Sequence, residues 1–525
     1  MLRYNLDAMA SLPEAVARRA RALAALGDGT FDLLVIGGGI NGVGIAADAA
    51  GRGLSVLLAE MGDLAGATSS ASSKLIHGGL RYLEYFEFRL VREALQEREV
   101  LLANAGHIVW PQRFVLPQAP GRRSGLLLRA GLFLYDHLGK RRRIPSSSGL
   151  DLNRDPAGRP LKPELARGFA YWDCRVDDAR LVALNARAAA NHGAVIETRT
   201  RVERARAIDG IWHITLKGRD GVREIQARAL VNAAGPWVQT VADEIDTGAA
   251  HQREPLRLVK GSHVVVPRIR GAEDAYLCQS ADGRVVFAIP YEERFTLIGT
   301  TDIPFASDPA SVAVSGDEED YLLELMGRFF SDAPARSDIV WSYAGVRPLY
   351  DDSAGTDPSA VTRDYRFELA AEPGQPPLLT VLGGKLTTYR RLAEHALQKL
   401  SPHLGPMKPA WTATTPLPGG NLGDGGLTGF ISRLCGRRSG FDAAFLKRLA
   451  RRYGTLIEEV LGDARCEADL GLSLGGGLTE REVRYLADRE WAREPEDVLW
   501  RRTKCGLQMT AEERTAAPEK IAKML

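Results

Sequence analysis

The sequence predicts an α/β and α+β protein in which a Rossmann-like dinucleotide-binding unit is followed by a β-sheet substrate region and a C-terminal helical domain. Three observations support this. A Gly-x-Gly-x-x-Gly run, Gly37, Gly39 and Gly42, follows the apolar strand-like stretch Phe31 to Ile36. Alternating runs such as Ser262 to Val266 and Val285 to Ile289 lie between Leu256 and Gly384. Phe441 to Tyr453 and Glu480 to Glu490 then show helical periodicity with few β-branched residues.

Spacing justifies the first unit. Gly37 permits a tight turn out of the strand, Gly39 lets a pyrophosphate approach the backbone, and Gly42 lets helix and sheet pack closely. Gly38, Ile40 and Asn41 complete the loop, so an anionic phosphate would sit at a helix N-terminus. Ile40 to Arg52 is rich in alanine and small apolar residues, as a helix covering a sheet should be, and Ser55 to Ala59 reads as the second strand. Glu60 ends that strand eighteen positions after Gly42, close to the roughly 20 expected for a carboxylate that binds an adenosine ribose.

Composition bounds the remainder. A chain of 525 residues suggests two to four folding units. With 68 Lys and Arg against 66 Asp and Glu, the net charge is +2, and no global field argues for a nucleic-acid partner. The five cysteines, Cys174, Cys278, Cys435, Cys466 and Cys505, are scattered without a Cys-x-x-Cys pair. This indicates neither a disulfide framework nor a zinc or iron-sulfur site and fits a reducing cytoplasmic setting. No run of about 18 uncharged apolar residues predicts a membrane span. Residues 1–30 mix Arg18, Arg19 and Arg21 with Asp7, Glu14 and Asp28, which argues for a short amphipathic helix over a targeting peptide.

After the nucleotide unit comes a hydroxyl-rich loop, Thr68-Ser69-Ser70-Ala71-Ser72-Ser73-Lys74, and then His77-Gly78-Gly79-Leu80-Arg81-Tyr82. Interrupted helices follow, with a βα stretch expected around Ala194 to Leu230 ahead of the β-rich region. Two further small-residue turns have the form of cofactor contacts: Val231 to Trp237, containing Gly235, and Thr380 to Thr387, containing Gly383, Gly384, Lys385 and Leu386. A helix is expected over Tyr389 to Leu400. The Pro- and Gly-loaded stretch Pro402 to Gly426 reads as a linker. The expected organisation is therefore 1–30 as an extension, 31–400 as interleaved cofactor and substrate regions, 401–426 as linker and 427–525 as a helical domain.

The glycine loop Gly37 to Gly42, the stretch Thr68 to Leu83, Ile298-Gly299-Thr300-Thr301-Asp302, Tyr343 to Leu349, Gly383 to Arg390 and Asp497 to Lys504 together closely resemble the FAD-dependent, respiratory glycerol-3-phosphate dehydrogenases. The resemblance runs over nearly the whole chain; a departure is the N-terminal extension of about thirty residues beyond the shortest bacterial relatives. It implies a two-dinucleotide-binding-type FAD fold and oxidation of sn-glycerol 3-phosphate to dihydroxyacetone phosphate. Electrons would pass from FAD to a membrane quinone. A phosphomonoester dianion needs fixed cations, and Arg81, Arg363 and Lys385, with Tyr82, are the candidates in matching motifs. His77 is the titratable side chain placed to take the hydroxyl proton, with Arg347 stabilising the developing alkoxide or sharing that task. Besides the glycines and Glu60, the cofactor contacts expected are Thr68, Ser69, Ser70, Ser73, Lys74, Gly235, Leu386 and Thr387. Val202 resembles the strand position that meets adenine.

Competing readings keep the same glycine sites: an oxidase passing electrons to oxygen, an amino-acid oxidase of the same fold, and a non-catalytic flavin-binding protein. Arg122, Arg123 and Arg129 flank Leu126 to Leu128, and Leu132 to Tyr135 precede Lys140 to Arg143. Such a cluster fits peripheral attachment to anionic lipid on the inner face of the cytoplasmic membrane. Nothing in the sequence fixes an oligomeric state, with a homodimer among the expectations.

Overall fold

A computed structural model describes residues 29–118, 125–139, 141–246, 256–280, 284–350 and 364–525. The helix expected before residue 29, the phosphate candidate Arg363, and Arg122, Arg123 and Lys140 of the basic cluster lie outside the described residues.

The strand Thr30–Ile36 is almost wholly buried because it is flanked in parallel on both sides, by Val56–Ala59 and by Gly221–Asn232. Parallel strands covered on both faces read as continuous apolar runs, and Leu33-Leu34-Val35-Ile36 is such a run. Val195–Glu197 extends the sheet beyond Val56–Ala59, and Leu378–Gly383 joins the far end of Gly221–Asn232. Helix α1 (Ile40–Gly51) lies on one face of this sheet and packs against the helices Asp178–Asn191 and Tyr389–Leu400. The expected helix and strand boundaries here agree with the structure to within a residue.

The βα stretch expected around Ala194 to Leu230 is instead all strand. Arg201–Ile208, Ile211–Gly218 and Gly221–Asn232 form an antiparallel meander. Its period is two: Trp212, Ile214 and Leu216 are buried while Ile211, His213 and Thr215 are half-buried. Asp209 and Gly210 both take positive φ, 51° and 76°, the geometry that turns a two-residue hairpin.

A second, mixed sheet runs under the first, and among the described residues it counts ten strands. Leu256–Pro267 pairs along its length with Trp341–Tyr350 and carries Phe295–Gly299 on its other edge. Helix Gly316–Phe329 covers one face. Helices α2 (Phe88–Asn104) and α3 (Gly125–Leu138) enclose the core on the other, around Leu95, Phe114, Leu132 and Tyr135.

Residues 401–425 contain no helix or strand, yet they are a docked strap. Lys408 N–H donates to Arg52 O at 3.0 Å and Leu417 N–H to Asn104 O at 2.9 Å. The Trp411 indole lies so close to α1 that a Cβ on Gly51 would stand 2.2 Å from it. Beyond the strap, helices Gly426–Arg437, Ala443–Tyr453, Glu480–Arg489 and Ala511–Ala522 enclose a separate core of Leu446, Tyr453, Leu486 and Val498. Buried ion pairs fasten this body to the sheet: Arg180 with Glu490, Lys504 with Asp177, and Arg502 with Asp63 at 2.7 Å.

His107, in the turn after α2, is fully buried against Gly419 and Gly454, and its ring nitrogens have no hydrogen-bond partner among the described residues. Burial, and then the Arg180 charge, push its pKa down from 6.5 to about 3. A depressed value means the neutral form contributes stability fully above pH 6.5, and that contribution is lost as pH falls towards 3. Melting temperature measured against pH should therefore decline over this window, and His107→Leu should flatten the decline.

Candidate functional site

A cavity of about 1140 Å³ runs between the two sheets, at the upper end of or beyond the roughly 300–1,000 Å³ usual for small-ligand sites. Its phosphate end is built by close backbone approach. A Cβ on Gly42 would lie 1.9 Å from Gly37 O, and one on Gly37, at φ +112°, would lie 2.5 Å from Ala233 O. Gly37, Gly39, Ile40 and Asn41 face the cavity, while Gly38 and Gly42 lie beneath the turn. Ser69 Oγ accepts from Ile40 N–H at 3.0 Å. Asn41 donates through Nδ2 to Gly383 O at 3.2 Å, and its buried Oδ1 has no partner among the described residues.

Beside this cradle Glu60 accepts from Gly38 N–H and Gly62 N–H, both at 2.6 Å. Burial raises its pKa, and these two donors oppose the rise. Val202 and Gly235 line the same cavity. Arg199 joins them, its N–H bound to Gly62 O at 2.8 Å. The wall is completed from the C-terminal body by Arg501, whose Nε donates to Asp63 at 2.6 Å. Burial alone would raise the Asp63 pKa, but the Arg502 and Arg501 guanidiniums hold it below the usual carboxylate value.

Lys385, Tyr82, Arg347 and His77 line the cavity as well. Lys385 Nζ stands 3.8 Å from the centroid of the Tyr82 ring. Arg347 donates to Asp302 Oδ1 at 2.6 Å and to Thr301 O at 3.0 Å, which fixes one edge of its guanidinium. His77 lines the cavity, and its N–H donates to Thr387 Oγ1 at 3.2 Å. Thr68 Oγ1 bonds Val346 O at 2.5 Å. Gly383 and Gly384 take φ of +73° and +98°, so the chain turns sharply into Leu386 and Thr387 at the start of the helix Tyr389–Leu400.

Three expected residues stand elsewhere. Lys74 is buried away from the cavity, paired with Asp178 at 3.0 Å and bonded to Ser70 O at 2.8 Å. A buried ammonium must have a counter-ion, and the carboxylate one turn away in the fold supplies it. Ser70 is turned outward with the same loop, its Oγ 3.4 Å from Ala67 O. Arg81 lies off the wall, with its guanidinium 3.4 Å from Tyr85 Oη.

The sequence reading missed His263, Arg199 and Arg501. His263 Nε2 lies 2.9 Å from Ser73 Oγ and the ring stacks on Tyr343 at 4.9 Å. Burial, then the charges of Lys74 and Arg347, depress its pKa, so it stands neutral at the cavity wall. A histidine directly before the apolar run Val264 to Val266 was the available signal. Arg501 lies in the Asp497 to Lys504 segment that carries the resemblance, but no spacing rule connects it to Asp63.

The cavity fits a flavin dinucleotide: a cradle closed to any Cβ, an orphaned amide oxygen at its edge, and a carboxylate hydrogen-bonded to the same turn. Residues 32–390 match the FAD dependent oxidoreductase family, and residues 410–525 match the C-terminal domain of alpha-glycerophosphate oxidase. A glycerol-3-phosphate dehydrogenase of Pseudomonas aeruginosa is 56% identical over 481 residues, covering 91% of this chain and 92% of that protein. The aerobic glycerol-3-phosphate dehydrogenase of Escherichia coli K12 is 50% identical, covering 93% and 96%. A D-erythritol 1-phosphate dehydrogenase of Brucella abortus is also 50% identical, covering 93% and 97%. The solved glycerol-3-phosphate dehydrogenase of Bacillus halodurans complexed with FAD superposes with a TM-score of 0.71 at 29% identity over 98% of each chain. Fold and cavity thus define an FAD-dependent oxidoreductase. Within that class, the chain belongs to the FAD-dependent glycerol-3-phosphate dehydrogenase family.

Removing one partner from a buried ion pair leaves the other charge uncompensated, at about 3–5 kcal/mol. Asp63→Ala should destabilise the protein by about that amount in urea unfolding. Because the same carboxylate holds Arg501 on the cavity wall, flavin fluorescence released during dialysis should rise as well.

Proposed function

We propose that this protein oxidises sn-glycerol 3-phosphate to dihydroxyacetone phosphate and delivers the electrons to a membrane quinone. The observation that carries the reading is that Lys385, Tyr82, Arg347 and His77 line the same cavity as the glycine cradle. Lys385 holds the substrate phosphate as a charge-assisted donor, and Tyr82 supplies a polar tip beside it. Arg363 is a further phosphate candidate. Arg81, next to Tyr82 in the chain, adds positive charge to this side of the loop. His77 accepts the C2 hydroxyl proton, and Arg347 stabilises the charge that develops on that oxygen. Neutral His263 offers a second acceptor along the same wall. FAD supplies the acceptor for the C2 hydride. Gly37, Gly39 and Asn41 would hold its pyrophosphate, Glu60 its ribose, Val202 its adenine, and Gly383 to Thr387 its ring system.

Two alternatives have specific support. The match of residues 410–525 to an oxidase domain keeps oxygen as an acceptor, and the Brucella relative keeps a four-carbon polyol phosphate as a substrate. Anaerobic mixing with glycerol 3-phosphate should bleach the flavin band, while glycerol or a 2-amino acid should not; failure to bleach defeats the reading. Re-oxidation by a quinone analogue should outpace re-oxidation by oxygen, and D-erythritol 1-phosphate in parallel ranks the substrates. A charged hydrogen bond is worth about 1.5–3 kcal/mol. Lys385→Met should therefore lower kcat/KM for glycerol 3-phosphate about ten- to a hundredfold.

No helix among the described residues is long and apolar enough to cross a membrane. Membrane contact is assigned to α3 and the turn before α2, where Phe86, Leu126, Leu127 and Phe133 are exposed, Leu126 at 83%. Exposed Arg129, Arg142 and Arg143 surround these residues, suiting the anionic inner face of the cytoplasmic membrane. Phe133→Ser with Arg142→Glu and Arg143→Glu should reduce co-sedimentation with vesicles containing anionic lipid, and unchanged sedimentation would remove this face from the contact.

A further inference from the structure

Helix α3 turns most of its apolar residues outward and buries only two side chains, Leu132 and Tyr135. Tyr135 reaches the backbone of the active-site loop. Its Oη accepts from Gly78 N–H at 2.8 Å, the residue directly after His77. The phenolic hydrogen is committed elsewhere, to Asp173, whose oxygens lie at 2.7 and 2.9 Å. Asp173 is itself held by Arg98 Nη1 at 2.6 Å, which also donates to Trp172 O at 3.0 Å. With its hydrogen directed at a charged acceptor, the phenol presents its lone pair to Gly78. The loop is therefore gripped at two consecutive amides, His77 by Thr387 Oγ1 and Gly78 by Tyr135 Oη. Space enforces the arrangement, because a Cβ on Gly78 would lie 2.7 Å from both Tyr135 Oη and Leu95 Cδ2. From Gly79, in a left-handed turn at φ +78°, the chain enters Leu80–Tyr85, which carries Tyr82 into the cavity.

We infer that Tyr135 is a positioning residue, setting the loop 77–82 through the Gly78 amide from a network of Asp173 and Arg98 that never touches substrate or cofactor. This rests on the proposed roles of His77 and Tyr82. Displacing reacting groups by about 1 Å can cost on the order of a hundredfold in rate, so one hydroxyl just outside the cavity lining carries weight. Burial keeps the phenol protonated, so both of its bonds persist across the working pH range.

The experiment uses full-length holoenzyme carrying Tyr135→Phe, which keeps the ring in its core. Hydrogen–deuterium exchange of the peptide spanning residues 75–82 should quicken about fivefold, as loss of the neutral hydrogen bond to Gly78 N–H predicts, with flavin content close to wild type. Anaerobic flavin reduction by glycerol 3-phosphate should slow about tenfold or more. In a His77→Asn background, adding Tyr135→Phe should slow reduction much less than it does alone, because residues acting as a unit are non-additive. Unchanged exchange in the loop overturns the inference, as does faster exchange without slower reduction, or fully additive losses when His77→Asn itself slows reduction. Wild-type reduction in His77→Asn alone would defeat the catalytic reading of His77. The exchange and reduction rates of Tyr135→Phe would still decide whether Tyr135 sets the loop through Tyr82.

Discussion

The close passage of Gly42 under the Gly37 carbonyl is the constraint on which the structure depends. No side chain fits there, with 1.9 Å between a Cβ and that oxygen. The contact brings the N-terminus of α1 to the end of the central strand and leaves backbone N–H groups facing the cavity. Glu60 is drawn to the same place, because it accepts from Gly38 N–H in the same turn. The glycine turn and the Glu60 carboxylate are thus a single hydrogen-bonded object, and the strands around it are arranged to keep it.

Where sequence reading succeeded, the signal was local. The glycine spacing, the small-residue helix Ile40–Gly51, the turn at Gly383 and Gly384, and the C-terminal helices each express a period or a backbone demand within some twenty residues. The meander after Val195 was misread even though Trp212, Ile214 and Leu216 alternate clearly, because a dinucleotide fold raises the expectation of a crossover helix. Lys74 shows a different failure. Residue type announces a cation, but only the fold reveals that Asp178 neutralises it. His263 and Arg501 reach the cavity through partners 190 and 438 positions away, and no single-sequence pattern encodes such distances.

Charge performs two separate jobs in this molecule. At the seam with the C-terminal helices, arginines and lysines are buried and matched: Arg180 with Glu490, Lys504 with Asp177, Arg502 with Asp63. Such pairs gain little net stability over an apolar seam, but they penalise any misaligned docking heavily. At the cavity, Arg347 pairs with Asp302 at 2.6 Å and Lys385 lies over the Tyr82 ring. The first set specifies one geometry for the two bodies. The second lines the cavity.

The order of strands in the first sheet bears on how the chain is made. Thr30–Ile36 leaves the ribosome early, but its parallel neighbour Gly221–Asn232 follows about two hundred residues later, and Leu378–Gly383 later still. Contacts of such sequence separation form slowly and expose unpaired strand edges meanwhile. The nascent nucleotide cradle must therefore wait, open on one edge, through most of translation, and the flavin can be taken up only once nearly four hundred residues have emerged.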